Sequence, residues 1–205
     1  MFWYPNAQDV VDQCGDKVIG SVRQAVLAAA VDLRAYRGWR PVWVAAHSDR
    51  GLANWIHDRI WDHVVTSLSE NSEVVLRDEG VTREFMVGGR FRIRIKRHSA
   101  DGIIRNYPTQ TALDFEVQPR NMLPGLGETR LYCGYVWHRE ERQMGDAVIS
   151  LHDGQDEVIW ISQLLDPQQG QGSLRQIWPT GGGGPERPVI TMPRLDEEGK
   201  GTGSE

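Results

Sequence analysis

With 205 residues, 40% of them apolar and 25% charged, the chain has the composition of an ordinary globular protein, which excludes a fibrous or wholly disordered one. Its net charge of -5 excludes a general nucleic-acid coat, so any affinity for phosphate has to come from a local basic patch. Two cysteines, Cys14 and Cys133, far apart in sequence, suit reduced and buried thiols better than a disulfide framework or a paired metal site.

The start, Met1-Phe2-Trp3-Tyr4-Pro5-Asn6, lacks the basic stretch and apolar run of a secretory signal, and no segment has the apolar length of a membrane span. A cytoplasmic protein without a membrane partner is therefore expected. Those first six residues read as an irregular aromatic arm. From Asp16, the residues Val18, Ile19, Val22, Val26, Ala29 and Leu33 recur at helical spacing, which predicts a helix to about Tyr36. Pro41 breaks it. A second helix is predicted from Ser48-Asp49, with Leu52, Ile56, Ile60, Val64 and Leu68 on one stripe and Asn54, Asp58 and Asp62 on the other flank. The two helices are read as an antiparallel pair.

Strands follow. Glu73–Leu76, Thr82–Val87 and Arg90–Arg97 form the first group, and Gly88-Gly89 supplies a hairpin turn that can take positive φ. Pro108 fits the first turn of a short helix that continues through Phe115. Residues 119–129 read as a loop, and three more strands run at 131–138, 147–152 and 158–164, with Gly134 marking a bulge or a close backbone approach. The fold class is α+β: a helix pair on a mostly antiparallel sheet of about six strands, with one short helix between strands three and four. Residues 1–166 form a single domain, and the Gly- and Pro-rich stretch 167–205 reads as a flexible tail.

The functional reading centres on the third strand. Phe91, Ile93 and Ile95 alternate with Arg92, Arg94 and Lys96, so one face of the strand is apolar and the other cationic. Glu84 is the nearest counter-ion in sequence. The polar run Arg105-Asn106-Tyr107-Pro108-Thr109-Gln110 serves equally as a helix cap or as a binding turn. No phosphate loop, zinc-protease histidine pair or paired cysteine motif occurs, so no metal or cofactor site is expected. His47, His98, His138 and His152 fall at element ends and are expected in solvent. His57, beside Asp58 on the second helix, has polar neighbours that suit general acid–base work if that flank leans toward the basic face.

The ordered set Asn54-Trp55-Ile56-His57-Asp58, Phe91 to Lys96, Arg105 to Gln110, Leu123-Pro124-Gly125 and Gly134-Tyr135 resembles a family of small uncharacterised bacterial and phage proteins over residues 48–162. The resemblance implies an association with toxin–antitoxin or phage-defence modules, and nominates Asn54, His57, Asp58, Lys96, Arg105, Thr109 and Gln110 as site positions. Two functions compete, ahead of a third, a non-catalytic nucleic-acid binder, which the overall acidity disfavours. One is an interaction or effector component that docks a protein partner through Arg92, Arg94, Arg105, Asn106 and the turn. The other is a metal-independent nuclease-like enzyme on RNA or DNA, with His57, Asp58 and Lys96 catalytic.

Overall fold

The computed structural model describes residues 4–79, 82–106, 109–119, 127–154, 157–166 and 174–178. Helix α1 (Ala7–Cys14) begins where the Asn6 side chain accepts from the Asp9 amide at 2.8 Å, and it buries Val10, Val11 and Cys14. Gly15, at φ 81°, turns the chain directly into α2 (Asp16–Trp39). Helix α3 (Pro41–Ala46) starts on its proline. In α4 (Asp49–Leu68) the Ser48 hydroxyl caps the Gly51 amide at 3.0 Å, and the whole predicted stripe from Leu52 to Leu68 is buried. Tyr36 stacks on Trp55, while Asp32 binds Arg59 and His63 at 2.9 Å. Partners thus climb one helix as they descend the other, so α2 and α4 are antiparallel.

Seven strands form one sheet in sequence order: β1 (Val74–Glu79), β2 (Thr82–Val87), β3 (Phe91–His98), β4 (Thr129–His138), β5 (Gln143–His152), β6 (Val158–Leu164) and β7 (Leu174–Trp178). Neighbours are antiparallel except β3 and β4, which run parallel and are joined through α5 (Gln110–Glu116). Gly88 and Gly89, at φ 57° and 67°, make the β2–β3 turn as their sequence requires. Alternation sends Phe85, Phe91, Ile93, Ile95, Leu131, Cys133, Ile149 and Leu151 to the helices, where they share one core with Val26, Leu33, Ile56 and Ile60. The opposite face carries a smaller apolar cluster of Ile104, Phe115 and Tyr132 under α5.

Three expectations need correction, and helices α1 and α3 were not expected. The strand count is seven, because Leu174–Trp178, inside the stretch read as tail, pairs with β6. Helix α1 carries too few turns for its periodicity to be recognised. Helix α5 begins at Gln110 with Thr109 as its N-cap, Thr109 Oγ1 accepting from the Ala112 amide at 3.2 Å. His98 and His152 are buried, not solvated, because segment 99–106 and the residues after α5 cover the ends of β3 and β5. Tyr107-Pro108 and Leu123-Pro124-Gly125 lie outside the described residues. Both thiols are buried in the helix-side core as expected; burial, with Cys14 adding to it, pushes the Cys133 thiol up to about 12.

Candidate functional site

The helix flank nominated in the sequence faces a different neighbour from the one expected. Asn54 is exposed on α4, and His57 Nδ1 lies 3.9 Å from Asp58 Oδ1, beyond hydrogen-bond range. Asp58 instead binds Arg83 of β2, which also holds Asp78 at 3.2 Å, and Asp78 accepts from Trp61 Nε1 at 3.0 Å. These contacts tie α4 to the β1–β2 hairpin. The hollow between them, about 460 Å³, is lined by Asp58, Asp62 and Asp78 against Arg83 alone, a charge balance that repels phosphate. Among the described residues no group of histidines, cysteines and carboxylates is placed to hold a metal ion.

Lys96 comes nearest to joining the two nominated regions. The last β2–β3 pair is Glu84 with Arg94, so Lys96 stands on the open margin of β3. Burial lowers its pKa, Arg94 adds to the effect and Glu116 opposes it. Burial also lowers the pKa of His57, with Lys96 and then Arg83 reinforcing the shift against Asp58. His57 is therefore biased toward neutral imidazole. Lys96 charge reaches it; Arg92 and Arg94 project from the opposite face of the sheet.

That opposite face holds the densest set of cations. Buried Glu84 receives Arg92 Nε at 2.8 Å and Arg94 Nε at 3.0 Å, with Arg77 3.9 Å away. Burial alone would raise the Glu84 pKa, but the two guanidinium bonds outweigh it and the carboxyl sits below its ordinary range. The Arg94 guanidinium lies 4.0 Å from the centre of the Phe115 ring and donates to the Thr111 carbonyl at 3.3 Å. Parallel pairing then sets Arg130 of β4 abreast of Arg92. Arg130 binds Glu128 at 2.7 Å and donates to the carbonyls of Val117, at 3.0 Å, and Asp114. Arg92, Arg94, Arg130, Thr111, Asp114 and Phe115 enclose a hollow of about 250 Å³. Local sequence pattern does not reveal Arg130, since its place beside Arg92 depends on a pairing between residues 38 positions apart.

The polar turn divides. Arg105 is exposed, Thr109 caps α5, and Gln110 donates to Asp114 Oδ1 at 2.7 Å along the same helix. Asn106 donates to the buried Glu116 at 2.8 Å. Deeper on this face, His98 Nε2 and His152 Nε2 approach Ser150 Oγ at 2.9 and 3.1 Å, and Gln118 spans the carbonyls of Arg130 and His152 at 2.7 and 2.8 Å. Ser150 is fully buried and lines neither hollow, so this set is a polar core in place of a catalytic pair.

The fold and its hollows define an α+β protein with a seven-stranded mixed sheet, helices α1 to α4 on one face and α5 with an arginine-lined site on the other. Comparison with family models, with curated proteins and with solved structures gives no match to this chain.

Proposed function

We propose that the protein is a non-catalytic interaction component, of the toxin–antitoxin or phage-defence kind that the sequence resemblance implies, and that it receives an acidic group of a protein partner in the arginine-lined hollow. The observation that supports this is the local charge. Arg77, Arg92, Arg94 and Arg130 gather around the carboxylates of Glu84, Glu128 and Asp114, which leaves a net positive site in a chain of net charge -5. Planar guanidiniums on adjacent strands suit forked recognition of a carboxylate. The nuclease reading has weaker support, because a phosphate held by Arg92 and Arg130 has the sheet between it and His57.

The test is titration of the full chain with a fluorescein-labelled hexaglutamate peptide at low and high salt. Binding is expected to weaken with salt, and Arg92→Gln and Arg130→Gln are each expected to weaken it about tenfold or more, the order of one charge-assisted hydrogen bond. Equal affinity in both variants contradicts the proposal. Tighter binding of a single-stranded RNA oligomer that His57→Ala leaves bound but uncleaved, where the parent chain cleaves it, would put the nuclease reading in its place.

A further inference from the structure

The junction of α2 and α3 presents an exposed apolar corner. Trp39 is 68% exposed, Val42 75% and Trp43 56%. Leu27 and Val31, also exposed, lie one turn apart further up α2. The Arg40 guanidinium lies 4.4 Å from the Trp39 ring and 4.8 Å from the Trp43 ring.

Arg40 lies against the corner, and further cations are close to it in sequence. Arg34, Arg40 and Arg50 are exposed, and Arg37 donates to the carbonyl of Arg142, whose own side chain donates to Ala45 and His47 carbonyls at 3.3 and 3.0 Å. Those bonds fix the β4–β5 turn onto α3 through backbone oxygens, so neither guanidinium is neutralised there. Asp49, Glu140 and Glu141 are close in sequence and exposed, yet among the described residues none of these five arginines forms an ion pair.

From these residues we infer that the Trp39–Trp43 corner docks onto an anionic lipid surface. Indole rings partition to the boundary between headgroups and acyl chains, and arginine heads stay with the phosphates while their stems lie along apolar surface. Side chains this exposed, lining neither of the two hollows described above, have the shape that inserts into a bilayer boundary in preference to gripping a protein segment. A second copy placed on the same corner about a two-fold axis would bring its arginines against these ones. Val42, with no π face, adds nothing to base stacking but adds apolar area in lipid. Among the described residues no helix is long and apolar enough to cross a membrane, and a peripheral contact needs none.

Sedimentation of the full chain with vesicles of phosphatidylcholine alone, or with one-third phosphatidylglycerol, tests the inference. Binding is expected only to the anionic vesicles, with a blue shift of tryptophan emission and quenching by brominated acyl chains. Trp39→Ala combined with Trp43→Ala, both exposed and so expected to leave the thermal melt unchanged, should weaken it about tenfold, the order expected for two interfacial anchors. Arg92→Gln with Arg130→Gln should leave it intact, which separates this site from the arginine-lined hollow. No binding to anionic vesicles, or equal binding by the tryptophan variant, overturns the inference. So does self-association, or hexaglutamate binding, that the tryptophan variant abolishes.

Discussion

At the ends of β3 and β5, His98 and His152 approach one serine hydroxyl from inside the protein. Burial lowers both pKa values, with His152 adding to the effect on His98, to about 3 for His98 and about 4 for His152. An unfolded histidine titrates near 6.5, so acid protonates the unfolded chain first. The stability that neutral burial provides is therefore complete above about pH 6.5 and declines as the pH falls toward the folded values. Together the two residues should remove about 4 kcal/mol between pH 6.5 and 4.5. Denaturant midpoints measured across that range check this, and His152→Asn should roughly halve the slope. A flat profile would contradict it. Neither burial was legible in the sequence: a histidine at a strand end is ordinarily wet, and the return of segment 99–106 and of the residues after α5 over these ends depends on tertiary packing.

Strands and helices differ in how far local pattern determined them. The stripe of α4 and its Ser48 cap follow directly from spacing, because one buried face and one capping hydroxyl are local properties. Helix α1 and strand β7 are short and depend on the surface they meet, which sequence does not display. Gly134 is the clearest local success. It sits at φ 152° where β4 passes β3, and an added Cβ would stand 1.9 Å from the Lys96 carbonyl oxygen. Since that oxygen belongs to backbone, Gly134→Ala must displace a strand and should destabilise by about 3 kcal/mol or more. Gly88→Ala, at positive φ with nothing within 4 Å of the added Cβ, should cost about 1 kcal/mol. Equal urea midpoints for the two variants would show that the close approach carries no energetic weight.

Across the whole molecule, one alternation accounts both for what the sequence revealed and for which of the nominated residues the structure keeps apart. Phe91, Ile93 and Ile95 were legible as a buried face, and the helix pair does pack there. The same alternation obliges Arg92 and Arg94 to point away from that pair, so the expected meeting of His57 and Asp58 with the basic face was inconsistent with its own premise. Cations and α4 flank were each identified from local sequence, but their relation depends on which face the helices cover. The position of Arg130 depends on the parallel β3–β4 pairing. Only Lys96, on the open strand margin, exerts its charge on His57 from the basic strand.

Amide chemical-shift mapping separates the two sides directly. On titration with hexaglutamate, shifts are expected at Arg92, Arg94, Thr111, Asp114, Phe115 and Arg130, with Asn54, His57 and Asp58 unmoved. Shifts concentrated at Asn54–Asp58, with the arginine-lined hollow silent, would contradict the account.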